Sequence, residues 1–141
     1  FIKNEEEKLY IQIPKGIDDS EIIVISNKGN CIDNVYGNLK IIIKLNKHSQ
    51  FSRDGLNIIY NKNITFKESI IGFDFTLNHL NNKIYKIKNN DGKIINNNST
   101  MILPKLGFIR DNYYGDLIIK FNIEYPDKLS KDALVQLEKI L

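Results

Sequence analysis

Phe73-Asp74-Phe75-Thr76-Leu77-Asn78-His79-Leu80, followed by Asn81-Asn82 and then by Lys83-Ile84-Tyr85-Lys86-Ile87-Lys88, is the stretch that decides the fold. Apolar and polar residues alternate through most of the first run, which puts Phe73, Phe75 and Leu77 on one face of an extended strand. Asn81-Asn82 suits the left-handed backbone of a two-residue turn, so the two runs are expected to pair as an antiparallel hairpin. Just upstream, Thr65-Phe66-Lys67-Glu68 has the Ser/Thr-x-x-Glu spacing of a capping box, in which hydroxyl and carboxylate each satisfy the other residue's backbone amide. One helical turn is expected there, closed by Gly72.

Working outward, Leu117-Ile118-Ile119-Lys120-Phe121-Asn122-Ile123-Glu124-Tyr125 is the longest strand candidate, stopped by Pro126. Asn57-Ile58-Ile59-Tyr60 follows the tight turn of Asp54-Gly55. Met101-Ile102-Leu103 is a short strand ahead of Pro104, and Lys93-Ile94-Ile95 can add another inside the polar stretch 89–100. Near the start, Leu9-Tyr10-Ile11-Gln12-Ile13, Glu21-Ile22-Ile23-Val24-Ile25 and Leu39-Lys40-Ile41-Ile42-Ile43-Lys44-Leu45 read as three strands of a sheet. The residues around Gly29 and Gly37 read as a surface loop. After Ser130, a natural N-cap, the period changes. Ala133, Leu134, Leu137, Ile140 and Leu141 then fall on one face of a terminal amphipathic helix.

Composition agrees with a β-rich globular chain. The 141 residues are 42% hydrophobic and 26% charged, with abundant Ile, no Trp and a single Ala. β-branched side chains fit a pleated surface better than a helix. The net charge of +3 is spread along the chain with no phosphate-tracking stripe, so nucleic acid is not an expected partner. Cys31 is the only cysteine, which rules out an internal disulfide and a thiolate zinc site and fits a reducing compartment; the cytoplasm is the expected location. No apolar run approaches the ~18 residues that span a bilayer, and Phe1-Ile2-Lys3-Asn4-Glu5 has no signal-peptide pattern. The chain reads as a piece of a longer polypeptide.

Catalytic chemistry finds little purchase. His48 and His79 have no Cys or carboxylate at metal-ligand spacing and read as surface or turn histidines. Asp54, Asp91, Asp111 and Asp116 stand beside Gly or Asn, where Asp caps turns. Neither a nucleophile elbow nor a phosphate-binding glycine loop is present. No catalytic residue, metal or cofactor is expected.

Four stretches, in order, resemble the C-terminal region of the DnaJ family of J-domain co-chaperones. Leu9 to Asp19, with Pro14-Lys15-Gly16, is similar to a strand and polar turn of the family's first C-terminal β-domain. His48-Ser49-Gln50-Phe51-Ser52-Arg53-Asp54-Gly55-Leu56-Asn57-Ile58 resembles the His-Pro-x-Phe-x-Arg-Asp-Gly-x-Asp-Leu segment that joins the two β-domains. Ile64-Thr65-Phe66-Lys67-Glu68-Ser69-Ile70-Ile71-Gly72-Phe73 is similar to Leu-Ser-Phe/Leu-Lys-Glu-Ala-Leu-x-Gly-Phe. Gly115-Asp116-Leu117 through Phe121, with Tyr125-Pro126-Asp127, resembles the closing Gly-Asp-Leu strand and Phe-Pro-Asp. The sequence departs from the family in lacking the J domain's His-Pro-Asp and the zinc-binding Cys-x-x-Cys repeats. Asn81-Asn82-Lys83 replaces an Asp-Gly-Arg turn, and only Gly107 survives of a Gly-x-Gly-Met-Pro loop.

The resemblance implies an all-β fold of two small β-sandwich-like domains in tandem with a C-terminal amphipathic helix. It places a truncated first β-domain at 1–47, a second at 48–128 and a dimerisation helix at 129–141. It also implies binding of non-native polypeptides, partnership with a seventy-kilodalton heat-shock chaperone through the full-length protein, and a homodimer. Membrane and nucleic acid are not implied as partners. On that reading Phe73, Phe75, Leu77, Ile102, Leu106 and Phe108 are the candidate client-binding residues, and Leu134, Leu137, Ile140 and Leu141 the dimerisation residues. Tyr10, Ile23 and Ile25 are weaker client candidates. Two alternatives stand beside this: Phe73, Phe75 and Leu77 as core, and the terminal helix folded back on its own domain. A structural or assembly module of the same fold, without client binding, is the rival function.

Overall fold

A computed structural model describes residues 6–141; the reading of residues 1–5 lies outside them. In chain order the elements are β1 (Ile22–Ile25), β2 (Cys31–Ile32), β3 (Val35–Tyr36), β4 (Leu39–Ile42), β5 (Phe51–Asp54) and β6 (Asn57–Thr65). They continue with α1 (Phe66–Ile71), β7 (Phe73–Asn78), β8 (Ile84–Asn89), β9 (Thr100–Leu103), β10 (Ile109–Arg110), β11 (Tyr113–Tyr114), β12 (Leu117–Glu124) and α2 (Lys131–Ile140). The body is all-β, as its Ile-rich alternating runs require, with one short helix inside it and one at the end. β5, β6, β12 and β9 form a four-stranded sheet in that order, and the pairs β1–β4, β2–β3, β7–β8 and β10–β11 form small sheets. The chain divides into two compact units, one of Phe1–Ile58 with Leu103–Leu117, the other of Ile59–Ile102 with Ile118–Leu141.

In the second unit the capping box forms as the spacing demands. The Thr65 hydroxyl accepts from the Glu68 amide at 3.1 Å, and the Glu68 carboxylate accepts from the Thr65 amide at 3.0 Å. Gly72 ends α1 at φ 122°, where a Cβ would fall 2.2 Å from the Asn89 carbonyl oxygen, so no other residue fits without moving the backbone. β7 and β8 pair from Phe73↔Asn89 to Asn78↔Ile84. The expected two-residue turn at Asn81-Asn82 is longer. The His79 amide donates to the Lys83 carbonyl at 2.9 Å and the Asn82 amide to His79 at 3.0 Å. Of the two asparagines only Asn82 has a positive φ (66°), because the His79 Nδ1 captures the Asn81 amide and fixes a wider loop.

Phe73, Leu77 and Ile87 from this hairpin, with Ile64, Ile119, Phe121 and Ile123, make the unit's core. The Phe73 and Phe121 rings lie 5.3 Å apart. The expected strand at Lys93–Ile95 is a loop. It is held down by the buried Ile95, whose amide donates to the Ser69 carbonyl at 3.0 Å, and by the Asn89 side chain on the Lys93 carbonyl at 2.9 Å.

In the first unit, β1 and β4 pair antiparallel from Ile22↔Ile42 to Ile25↔Leu39. The stretch between them, read as a loop, carries the hairpin β2–β3, and a matching hairpin β10–β11 follows Gly107. Both turn on Asp-Asn with positive φ at each residue: 51° and 63° at Asp33-Asn34, 47° and 68° at Asp111-Asn112. That is the type I′ geometry that follows strand twist, and Asn and Asp tolerate it. Leu9–Ile13, expected as a strand, is not one. Tyr10 is 95% and Ile13 64% exposed, and among the described residues no strand lies beside this run to take its backbone N–H and C=O groups.

Candidate functional site

Arg53 organises the first unit around the Arg-Asp-Gly turn. β5 aims its guanidinium back over the Pro14-Lys15-Gly16 loop, where Nη1 and Nη2 donate to the Ile17 and Gly16 carbonyls, each at 2.6 Å. Nε donates to the Gly55 carbonyl at 2.8 Å and lies 3.4 Å from the Asp18 carboxylate. The guanidinium plane covers the Phe108 ring at 4.1 Å. Beside it, Arg110 of β10 pairs with Glu21 at the foot of β1. Asp18, Glu21, Arg53 and Arg110 line a cavity of about 280 Å³ with Leu56, Asp111 and Tyr113. Its basic groups are already satisfied by Asp18, Glu21 and backbone carbonyls, so it is a junction of loops with no unpaired basic group for an anionic ligand.

Hydrogen bonding from Arg110 holds the Glu21 carboxyl below its ordinary 4.5 and raises Arg110 in turn. Because the folded value is the depressed one, the stabilisation from this pair is complete above about pH 4.5 and is lost as the pH falls through the lower, folded value. Glu21→Gln is therefore expected to be less stable than the wild type at neutral pH and to converge with it in acid. Urea titrations of both proteins at several pH values would check this, and a gap that widens below pH 4.5 would contradict it.

The sequence-predicted client residues divide between the units. In the second, Phe73 and Leu77 are core residues at 4% and 1% exposure. Phe75, between them on the same face of β7, stays half-buried with the Lys62 ammonium 4.6 Å over its ring. Ile102 is 55% exposed on β9, whose inward positions are Met101 and Leu103, so it stands on the other face of the sheet from the Phe73–Phe121 contact. The structure does not bring Ile102 and Phe75 onto one surface. In the first unit, Leu106 and Phe108 are half-buried around Gly107, Phe108 under Arg53. Of the weaker candidates, Tyr10 is exposed and Ile23 and Ile25 are half-buried.

At the chain end, α2 starts where Ser130 predicts, its hydroxyl accepting from the Ala133 amide at 3.1 Å. Leu134, Ile140 and Leu141 are exposed and Leu137 half-buried, so most of the helix's apolar stripe faces solvent. His48 and His79 are turn histidines: each Nδ1 accepts from the backbone amide two residues on, at 3.1 and 3.0 Å. Among the described residues no group of three or more His, Cys, Asp or Glu side chains could hold a metal ion, and no helix is long and apolar enough to cross a membrane.

The site that the sequence reading missed lies on β1 and β4. Ile22, Val24 and Ile42 are 56%, 52% and 68% exposed on one face, and Ile22 and Ile42 are cross-strand partners. The opposite face, Ile23, Ile25, Leu39 and Ile41, is half-buried. The signal was present in the unbroken runs Ile22-Ile23-Val24-Ile25 and Ile41-Ile42-Ile43, since a strand with one solvated face alternates and these do not. Nearby on the chain, Ile32 and Val35 at the tip of β2–β3 are 73% and 70% exposed.

Residues 2–126 match the family model of the DnaJ C terminal domain. Among curated relatives, the "DnaJ protein homolog 2" of Allium porrum is 27% identical over 99% of this chain and 34% of its own length. The "DnaJ homolog subfamily A member 1 homolog" of Dictyostelium discoideum is 33% identical over 92% of this chain and 29% of its length. The "Mitochondrial protein import protein MAS5" of Saccharomyces cerevisiae is 29% identical over 99% and 36%. The chain thus spans about a third of the length of these relatives. With the family model covering most of the sequence, and the Arg-Asp-Gly turn, the capped helix and the Gly-Asp-Leu strand each formed, the chain belongs to the DnaJ C-terminal domain family, a module of DnaJ-type chaperones.

Proposed function

We propose that this chain holds extended apolar segments of non-native polypeptides and dimerises through α2, as part of a cytoplasmic protein that passes its clients to a seventy-kilodalton heat-shock chaperone. Binding is independent of ATP, and the chain is not an enzyme and needs no cofactor, metal, nucleic acid or membrane. The observation that carries the reading is the exposed aliphatic face of β1 and β4, Ile22, Val24 and Ile42, on a sheet whose β4 edge has no further strand among the described residues. An extended peptide gains backbone hydrogen bonds at a strand edge whatever its sequence, and an adjoining apolar surface selects for apolar side chains. Phe75, Ile102, Leu106 and Phe108 supply further contact surface in this proposal, with Phe73 and Leu77 flanking Phe75 on the same face of β7. The family domains are proposed to divide at 47/48 and 128/129. A homodimer formed by Leu134, Leu137, Ile140 and Leu141 would place two such surfaces in one particle, where weak sites act together through effective concentration. The burial of Phe73 and Leu77 favours the second reading, an assembly module without client binding.

The two readings separate in an assay of aggregation of a heat-denatured model protein, with the mass of the chain followed by light scattering. Dose-dependent suppression is expected from the wild type, and a loss of at least half of it from Ile22→Ser/Ile42→Ser at unchanged mass and circular dichroism. A folded dimer that suppresses nothing would leave only the assembly module.

A further inference from the structure

Lys62 stands where the alternation of β6 calls for an apolar residue. Ile58 and Ile64 turn inward and are sealed in the core, Tyr60 and Lys62 are half-buried between them, and Asn61 and Asn63 on the other face are exposed. An inward ammonium gives up part of its hydration, and a buried cation ordinarily recovers that loss from a carboxylate or a hydrogen bond. Among the described residues Lys62 has neither. The lysines that form ion pairs there are Lys28, with Glu7, and Lys88, with Asp74. The Lys62 ammonium lies instead 4.6 Å over the Phe75 ring. A ring face attracts the charge but offers no lone pair to the three N–H donors.

Phe75 is itself only half covered. Its neighbours on the same face of β7, Phe73 and Leu77, are buried, and the Phe73 ring lies 5.6 Å from it. Asp74, the acid nearest to it in the chain, points to the opposite face of β7, towards Lys88. β7 has β8 on one side and no strand on the other among the described residues. The second unit thus presents together an aromatic ring within reach of solvent, an ammonium without a counter-ion resting on that ring, and a strand edge free to pair.

We infer that Lys62 gives the client surface of the second unit a preference for acidic residues: Phe75 takes an apolar side chain of an extended peptide, and Lys62 takes the carboxylate of an Asp or Glu beside it. This rests on the reading of Phe75 as a client contact and adds the chemistry that the contact selects. A carboxylate supplies the acceptor that the ring lacks. The pair forms next to Phe75 and Tyr60, where charges are screened less than in open water. Lys62 is therefore a specificity residue, and the apolar contact at Phe75 does not depend on it.

Two short fluorescent peptides test the inference, alike in their apolar residues and differing only in whether Glu or Gln flanks a central Phe. Anisotropy is read on the whole chain carrying Ile22→Ser/Ile42→Ser, so that binding at the second unit is what remains. The glutamate peptide is expected to bind about fivefold more tightly than the glutamine peptide, a gap that narrows as salt is raised. Lys62→Gln is expected to close the gap by weakening the glutamate peptide alone, at unchanged circular dichroism, and Lys62→Arg to keep it. A gap that survives Lys62→Gln would overturn the inference. So would a gain for both peptides in that variant, because Lys62 would then be a cover over Phe75. Phe75→Ser tests the underlying reading separately and is expected to weaken both peptides. If it weakens both while Lys62→Gln leaves the gap intact, client contact at Phe75 stands and the charge preference falls. If it weakens neither, both fall.

Discussion

Gly115→Ala is expected to unfold the first unit. Gly115 is buried where three backbone segments cross, and a Cβ there would lie 1.8 Å from the Leu56 carbonyl oxygen and 2.3 Å from its carbon. The Leu56 oxygen accepts from the Phe108 amide at 2.7 Å, the Phe108 oxygen from the Gly115 amide at 2.8 Å, and the Gly115 oxygen from the Gly107 amide at 2.9 Å. Making room for one methyl therefore breaks a closed set of backbone bonds, at about 1–3 kcal/mol for each buried group left unpaired. A total above about 4 kcal/mol is comparable with the whole stability of a small domain. Gly37 supplies the control: it follows the hairpin β2–β3 as Gly115 follows β10–β11, and a Cβ there meets nothing nearer than the Asn30 oxygen at 3.8 Å. Gly37→Ala is expected to stay within about 0.5 kcal/mol of the wild type, since it adds a surface methyl in open space. Urea unfolding of the two variants compares them directly, and similar midpoints would contradict the packing described here.

Arg53 carries the second large effect. Its side chain is 14% exposed, and its three donor atoms end on three carbonyls from two loops, with Asp18 as counter-ion and Phe108 stacked beneath. Arg53→Ala removes these contacts together and leaves the Gly16 and Ile17 carbonyls without their donor, at a cost of about 2–4 kcal/mol. Arg53→Lys is expected to recover less than half of that loss. An ammonium keeps the charge but cannot fork between carbonyls or lie flat on a ring. A lysine variant as stable as the wild type would mean that charge near Asp18 is all the junction needs.

The sequence disclosed the elements whose signal is local. Thr65 and Glu68 announce α1, Ser130 announces α2, and the alternation of Phe73 to Leu77 and of Leu117 to Ile123 announces β7 and β12; each rests on residues a few positions apart. The hairpins β2–β3 and β10–β11 escaped because strands of two residues have no period to read, and their Asp-Asn turns look like any polar loop. Leu9–Ile13 failed for the opposite reason. Its period is right, but a strand needs a neighbour, and local pattern says nothing of whether one is present.

The same limit governs the candidate site. Alternation put Phe73, Phe75 and Leu77 on one face correctly, yet which of them other residues cover is a property of the packed unit, and Phe121 covers Phe73 from far along the chain. Ile22, Val24 and Ile42 were passed over because apolar residues on both faces of a strand look like burial. On β1 and β4 they are a face that the described residues leave open.

The most direct test of client holding is a methyl NMR titration of the isotope-labelled chain with a permanently unfolded, carboxymethylated polypeptide. The account predicts saturable shifts at Ile22, Ile42 and Ile102, which are exposed, and none at Ile58, Ile64 and Ile119, which are sealed in the cores. A spectrum that keeps every isoleucine methyl in place, or that responds only at Ile140 of α2, would contradict it.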